Sequence, residues 1–301
     1  MNALRKKVIG IVIAIVFVIS LFLLFHFHSQ KEFTLSNNLL HYSESNDVHF
    51  VLIEGNKTEN YTIYYLNYTT KENSVPAIIY EPNLIQEKYS KKYPAVLILP
   101  GATVTKEGMH NRLQLLANLG YVAMTIDTRA TGENKAQMNS FQYDYQLFAE
   151  GKETTQYLQI SEALQAIALL KKLDFVDQTK IIIAGESMGG RIATITGYND
   201  QSIKGFLIIS SSGYQTILLQ DSAEKKFYLT IDPDNYFDKL NGRRIVFIHS
   251  TKDTTIPIKS AQASFAIAKE PKKFIAVDYC NHGYCGEMDG VIQESLDWLE
   301  G

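Results

Sequence analysis

Cysteine and tryptophan are scarce in this sequence, and neither sign of charge dominates it. Its 301 residues include 2 cysteines and 1 tryptophan, and 29 lysines and arginines against 32 aspartates and glutamates give a formal net charge of −3. Two cysteines are too few for a disulfide scaffold, and the spacing of Cys280 and Cys285 is not that of a zinc site. The near balance of charge and the absence of long basic runs argue against nucleic acid as a partner. The sequence also contains no internal repeat and no low-complexity segment.

Apolar residues, by contrast, make up 46% of the 301 residues. A chain of this size and composition buries a full hydrophobic core. We therefore expect one large α/β domain, over residues 46–301, rather than two small domains.

A long apolar run lies near the start of the sequence. It extends from Val8 to Phe25 and follows three basic residues at positions 5–7. Because this run is long enough to cross a bilayer as a helix, residues 1–28 are predicted to be a membrane anchor, and the polar residues 29–45 a linker. A cleaved signal peptide is the alternative, although its apolar core is usually shorter and ends at a small-x-small site. The basic residues should stay in the cytoplasm, which predicts a single-pass protein of the cell membrane with an extracytoplasmic domain.

Two different sequence patterns follow the linker. Residues 48–54, 61–68 and 75–80 are β-rich and separated by turn residues, which predicts an antiparallel entry to a sheet. From Tyr93 onward, strand and helix patterns alternate as in a parallel sheet with crossover helices. The predicted strands are 95–99, 121–126, 181–184, 205–210, 243–249 and 273–278, and the predicted helices are 109–119, 154–173, 191–198, 259–268 and 290–299. Active sites of open parallel sheets lie at the carboxyl ends of the strands.

One of these strands ends in a Gly-x-Ser-x-Gly motif. Its apolar residues 181–184 lead directly into Gly185, Ser187 and Gly189. Glycines in this pattern permit a tight strand-to-helix turn that exposes the serine hydroxyl, so Ser187 is the predicted nucleophile. The alternative is a serine that only caps the following helix.

A serine nucleophile needs a base, and the base needs an orienting acid. In this architecture the chain order is serine, acid, histidine, and His282 alone among the histidines follows both the nucleophile and a suitable acid. His249 lies inside a predicted strand and His110 begins a predicted helix, so structural roles are favoured for both. The acid is predicted to be Asp253, in the loop after the penultimate strand, with Asp278 as the alternative.

The transition state also needs hydrogen-bond donors for the developing oxyanion. One donor should be the backbone N–H of Met188, which follows the nucleophile at the start of a helix. The second is predicted to be the N–H of Ala102, in the Pro100-Gly101-Ala102 turn after the first parallel strand. A plain tight turn is the alternative there.

Four motifs of this sequence, and their order along the chain, resemble those of α/β-hydrolases. They are Leu99-Pro100-Gly101, the segment from Gly185 to Gly190, Asp253 with Ile256-Pro257, and His282-Gly283. The resemblance covers residues 48–301 and is strongest to the branch of prolyl-oligopeptidase-type domains, dienelactone hydrolases and acetyl-xylan-esterase-like proteins. It implies an α/β-hydrolase fold, a mostly parallel sheet with antiparallel N-terminal strands, and a small or absent cap. Pro100-Gly101 replaces the His-Gly pair that is common in this family.

Together, the motifs predict a membrane-anchored serine hydrolase that cleaves carboxylic esters and needs no metal or organic cofactor. The alternative is a serine peptidase acting on short peptides. A hydrolase fold used only for binding is a third hypothesis, which would require the loss of a catalytic residue. Two segments, 211–242 and 133–151, are the predicted positions of a small cap. In an oxidising compartment, Cys280 and Cys285 could form a disulfide that rigidifies the loop of His282.

Overall fold

The computed structural model describes residues 32–43, 48–83, 92–216 and 219–301. Its contacts divide the chain into two units, Met1–Thr34 and Leu35–Gly301, and the fold below is that of the second unit. The predicted anchor, residues 1–28, lies outside the described residues. Within the described part of the chain, no helix is both long and apolar enough to span a bilayer.

Part of the segment predicted as a linker forms a two-stranded sheet. The strands are β1 (Phe33–Ser36), which crosses the boundary between the two units, and β2 (Leu39–Tyr42). The side chains of Leu39 and Leu40 are buried, and the N–H of Leu40 donates to the Tyr236 hydroxyl at 2.8 Å. The apolar pair in β2 thus attaches this part of the segment to the domain.

A nine-stranded sheet forms the centre of the second unit. Its strands are β3 (Ile53–Lys57), β4 (Tyr61–Thr69), β5 (Ser74–Pro82), β6 (Tyr93–Leu99), β7 (Val122–Ile126), β8 (Val176–Glu186), β9 (Ile203–Ile209), β10 (Arg244–Ser250) and β11 (Lys272–Val277). They lie in the order β11-β10-β9-β8-β6-β7-β5-β4-β3. β3, β4 and β5 are antiparallel to their neighbours, and the strands from β6 onward pair in parallel. This is the mixed sheet that the sequence predicts.

Helices connect the parallel strands and cover the sheet. They are α1 (His110–Asn118), α2 (Phe141–Ala149), α3 (Thr155–Lys172), α4 (Met188–Asn199), α5 (Ala223–Ile231), α6 (Ile258–Ile267) and α7 (Asp289–Glu300). Residues 181–184 of β8 are fully buried or nearly so. Their uninterrupted apolar run reflects a central strand that is covered on both faces.

Each strand and helix predicted from residue 95 onward is present, with bounds that agree to within a few residues, but the structure differs from the prediction in two other respects. The first predicted strand, 48–54, is shifted to β3, whose five residues are all exposed. β3 is one of the two edge strands of the sheet and, among the described residues, pairs with β4 alone, so burial does not impose an alternating pattern on it. The second difference is a pair of nine-residue helices that the sequence did not predict, α2 in the segment 133–151 and α5 in the segment 211–242, which are the predicted positions of a small cap.

The strand order reverses at one point in the parallel part of the sheet. β6 lies between β7, which follows it in sequence, and β8, which comes later. Leu99 at the end of β6 is in register with Gly185 near the end of β8. The loops after these two strands therefore begin side by side, at the kind of switch point where open α/β sheets bind ligands.

Candidate active site

Ser187 lies on a strained turn between β8 and α4. Its φ is 51° and its ψ is −116°, a region that residues other than glycine seldom occupy. The turn is tight because a Cβ on Gly185 would collide with the backbone of Gly189, and one on Gly189 would collide with the carbonyl of Leu99. The motif glycines are therefore required by the close approach of backbone to backbone.

Backbone and side-chain hydrogen bonds from neighbouring elements hold this turn in place. The N–H of Ser187 donates to the carbonyl of Ile209 at 2.9 Å, and the Ser211 hydroxyl donates to the carbonyl of Ser187 at 2.6 Å. The Ser187 side chain itself forms no capping hydrogen bond to α4. The alternative of a helix-capping serine is thus not what the structure contains, and the hydroxyl remains available for chemistry.

Asp253 and His282 come together from two successive strand-end loops. His282 Nδ1 lies 2.8 Å from Asp253 Oδ2. The other carboxylate oxygen, Oδ1, accepts the N–H groups of Thr255 and Ile256 at 2.9 and 2.8 Å. Asp278, the alternative acid, has an exposed side chain. The structure therefore places the predicted acid, and not its alternative, beside the predicted base.

A second histidine contacts the same carboxylate, and sequence reasoning missed this contact. His249 Nε2 lies 2.8 Å from the carbonyl oxygen of Ile256 and 3.3 Å from Asp253 Oδ2. Both partners are acceptors, so Nε2 must carry the hydrogen. Burial lowers the pKa of His249, and its Nδ1 has no hydrogen-bond partner in the described residues. A neutral His249 thus ties the Asp253 loop to β10, and the spacing of four residues was the only sequence signal for this contact.

The loop that carries His282 is closed by a disulfide between Cys280 and Cys285. The Ser250 hydroxyl, at the end of β10, donates to the carbonyl of Cys280. Gly283 has a φ of 80°, which glycine adopts without strain. These features fix both ends of a short loop around the histidine.

The turn after β6 lies against the nucleophile. A Cβ built on Gly101 would be 3.6 Å from the Cβ of Ser187, and Ala102 follows it as an exposed residue. Thr103, next in the chain, has a φ of 66° and donates its hydroxyl to the Ala102 carbonyl at 2.6 Å. Met188 is the first residue of α4, and the first N–H groups of a helix have no intrahelical acceptor. Both predicted oxyanion donors thus belong to segments that adjoin Ser187.

The buried residue Lys106 holds the segment that follows this turn. The N–H of Lys106 donates to Asp127 Oδ1 at 2.7 Å, and its Nζ lies 3.1 Å from Oδ2 of the same carboxylate. Glu133 contributes a second carboxylate 2.9 Å from Nζ, and its own N–H donates to Asp127. The cluster joins the segment that follows the Gly101 turn to the end of β7, and no pattern in the sequence predicts it.

A mostly parallel sheet with a strained serine turn at its switch point, and an Asp–His pair on later strand-end loops, has the architecture of the α/β-hydrolase fold. The chain belongs to the acetyl xylan esterase (AXE1) family, because residues 32–244 match the model of that family. This family is one of esterase-type hydrolases. The match and the structure together confirm the fold that the four motifs predicted.

Solved structures agree with this fold at low sequence identity. The acetyl xylan esterase from Paenibacillus sp. R4 superposes with a TM-score of 0.69 at 15% identity, over 83% of this chain and 88% of that one. Acetyl xylan esterase 1 from Thermoanaerobacterium sp. JW/SL YS485 superposes with a TM-score of 0.67 at 16% identity, over 85% and 89% of the two chains.

A curated protein with a similar sequence is the uncharacterized protein YfhR of Escherichia coli (strain K12). It is 26% identical over 150 residues, which are 48% of this chain and 53% of that protein. The chain thus spans about half the length of the curated relatives it matches first.

Proposed function

We propose that the protein is a serine hydrolase that cleaves carboxylic esters through an acyl-enzyme. The observation that carries this proposal is the 2.8 Å contact between His282 Nδ1 and the carboxylate of Asp253, on a His282 loop whose Gly283 packs against Glu186, the residue before the strained Ser187 turn. A carboxylate only accepts hydrogen bonds, so Nδ1 carries the hydrogen and Nε2 is left to act as the base.

In the first half-reaction, Ser187 Oγ attacks the acyl carbon and its proton passes to His282 Nε2. The resulting oxyanion accepts hydrogen bonds from the N–H groups of Met188 and Ala102. When the tetrahedral intermediate collapses, the bond to the alcohol oxygen breaks and His282 returns the proton to that oxygen. Water then repeats the sequence, which releases the acid and restores Ser187. Asp253 orients the imidazole throughout and stabilises its positive charge.

Membership of an esterase-type family favours esters over amides as substrates. The helices α2 and α5, in the two segments predicted to form a small cap, are only nine residues each, which favours a small or open substrate site. One relative favours testing amides as well. The probable dipeptidyl-aminopeptidase B of Trichophyton verrucosum is 28% identical over 134 residues, 14% of its own length. A serine peptidase acting on short peptides is therefore the second function to be tested.

The proposal is tested by comparing ester and amide hydrolysis by the full chain, with Ser187→Ala as the blank. p-Nitrophenyl esters of increasing acyl length and aminoacyl p-nitroanilides are the substrates, and a fluorophosphonate probe reports on Ser187 directly. We expect ester turnover that depends on Ser187 and falls with acyl length. Faster anilide cleavage would instead make the protein a peptidase. Equal rates for the protein and the blank, with no labelling of Ser187, would overturn the hydrolase proposal.

We further propose that residues 1–28 anchor the protein in the cell membrane with its domain outside the cytoplasm. The apolar run after three basic residues supports this topology, and so does the disulfide between Cys280 and Cys285, since such bonds persist in oxidising compartments. The full chain should resist alkaline extraction from membranes, and a variant lacking residues 1–28 should be released. Digestion of the domain by a protease added to intact cells tests its orientation, and full protection would contradict it.

A further inference from the structure

A part-buried ion pair includes the residue next to the nucleophile. Arg112 of α1 donates through Nε to Glu186 Oε1 at 2.8 Å and through Nη2 to Oε2 at 3.0 Å. The side chain of Glu186 is 4% exposed and that of Arg112 is 16% exposed. Glu186 immediately precedes Ser187, so this two-pronged pair attaches α1 to the residue from which the strained turn begins. Paired N–H donors in this geometry restrict both distance and orientation.

The same arginine also contacts the loop that carries the base. Its guanidinium carbon lies 4.6 Å from the centre of the Tyr284 ring, and Tyr284 is two residues beyond His282. The Tyr284 hydroxyl donates to Asp289 Oδ1 at 2.5 Å, which fixes the ring beneath the guanidinium. A Cβ on Gly283 would be 3.5 Å from Glu186 Oε2, so the backbone next to His282 packs against the Glu186 carboxylate.

A third contact joins Arg112 to the short helix that follows the turn of Ala102, the proposed second oxyanion donor. Its Nη1 donates to the carbonyl of Gly108 at 2.8 Å. Gly108 belongs to the short 3-10 helix, Lys106–Met109, that follows the turn containing Ala102. Arg112 therefore contacts the residue before the proposed nucleophile, the loop of the proposed base, and the short helix that follows the turn of the proposed second oxyanion donor.

From these contacts we propose that Arg112 and Glu186 are positioning residues, which hold the His282 loop against the Ser187 turn so that His282 Nε2 meets Ser187 Oγ. This inference rests on the proposed serine hydrolase function. It assigns the pair no contact with substrate. Reacting groups that are displaced by a fraction of a bond length lose most of the benefit of orientation, so loss of the pair should lower kcat far more than it changes KM.

The primary test is the double variant Arg112→Met/Glu186→Gln, because it removes both charges and leaves neither partner buried alone. Steady-state kinetics are measured on the full chain with p-nitrophenyl acetate. The concentration of active enzyme is taken from the end point of fluorophosphonate labelling, so any unfolded fraction does not enter kcat. The control is Lys171→Met, which breaks the part-buried pair between Lys171 and Asp200 and so shows the cost of disturbing an ion pair that has no contact with the proposed site.

We expect the double variant to lose about tenfold to hundredfold in kcat per labelled site, with KM within about threefold of the wild type. The two single variants should each lose about as much as the double variant, since the pair acts as one unit. Arg112→Lys, which keeps the charge but neither the two-pronged pairing nor the planar stacking, should recover only part of kcat.

A kcat of the double variant within about twofold of the Lys171→Met control would overturn the positioning role, and so would a loss confined to KM. These outcomes are distinct from failure of the proposed function itself. If the protein is not a serine hydrolase, the wild type itself will hydrolyse p-nitrophenyl acetate no faster than the Ser187→Ala blank.

Discussion

Asp253 is fully buried, whereas the His282 side chain with which it pairs is 27% exposed. In the 2.8 Å contact between Asp253 Oδ2 and His282 Nδ1, the carboxylate is therefore enclosed by protein, whereas the imidazole is partly exposed to solvent. The backbone donors of Thr255 and Ile256 hold the carboxylate, and the carboxylate in turn sets the plane of the imidazole. In the proposed reaction, Nε2 of this partly exposed imidazole is the atom that changes protonation.

Substitution of Asp253 tests this arrangement most directly. Asp253→Asn keeps an oxygen for the N–H groups of Thr255 and Ile256 but loses the negative charge beside His282. We expect kcat to fall by about 10³ to 10⁴-fold with little change in the circular dichroism spectrum. Asp278→Asn is the control and should match the wild type. Loss of activity in the control together with its retention in Asp253→Asn would reverse the assignment of the acid.

His249 should influence the reaction through Asp253 rather than through the substrate. His249→Leu leaves the Ile256 carbonyl without its buried donor, which should cost about 1 to 3 kcal/mol of unfolding free energy and about tenfold in kcat. His249→Gln retains an amide N–H near the position of Nε2 and should keep most of the unfolding free energy and most of kcat. Urea unfolding and steady-state kinetics measure the two effects. Equal behaviour of the two variants would mean that the Nε2 contact has no role.

Gly189 should tolerate no side chain, because a Cβ there would collide with the carbonyl oxygen of Leu99. We expect Gly189→Ala to lower the unfolding free energy by about 3 kcal/mol or more and to abolish activity. Gly290→Ala is the matched control, since a Cβ on this exposed helical glycine meets nothing within 4 Å. Thermal melting of both variants distinguishes a steric requirement from a general cost of replacing glycine, and similar melting temperatures would contradict the collision.

The disulfide should matter more for activity than for stability. It closes a loop with a sequence separation of 5, for which the chain-entropy model gives only about 2 kcal/mol. We expect reduction to lower kcat several-fold while KM changes little, because the loop of His282 loses one of its fixed ends. The variant Cys280→Ser/Cys285→Ser should show the same lowered kcat with and without dithiothreitol. A wild-type kcat that is indifferent to reduction would contradict this role.

Asp234 should make stability depend on pH. Burial, reinforced by the charge of Asp232, raises the pKa of Asp234 from 3.8 to about 6. The folded state thus favours the protonated form, so this contribution to stability is present below about pH 4 and is lost as the pH rises to about 6. Relative to Asp234→Asn, the wild type should lose up to about 3 kcal/mol of unfolding free energy across this window. Urea unfolding at several pH values measures the difference, and a constant difference would refute the shift.

The sequence was most informative where a function depends on local geometry. The turn around Ser187 needs small residues at fixed offsets, and the parallel strands need uninterrupted apolar runs. Both features can therefore be recognised as patterns in the sequence. The contact between Arg112 and Glu186 leaves no such pattern, because the two residues are 74 positions apart and either would suit an exposed surface. Helix α2 escaped prediction because its segment is rich in Asn and Gln, which is typical of a loop, although Phe141, Tyr145 and Phe148 share one helical face. That face packs against the rings of Tyr214 and Phe227. Such features depend on the tertiary structure.

The strained turn at Ser187 is held by the backbone, by glycines and by the Ser211 hydroxyl, and not by the Ser187 side chain. The backbone path is therefore independent of the reactive atom. A single codon change from serine to cysteine would exchange the attacking oxygen for sulfur without altering the contacts that shape the turn. In evolutionary terms, the scaffold can pass from one nucleophile to another while selection for folding remains satisfied.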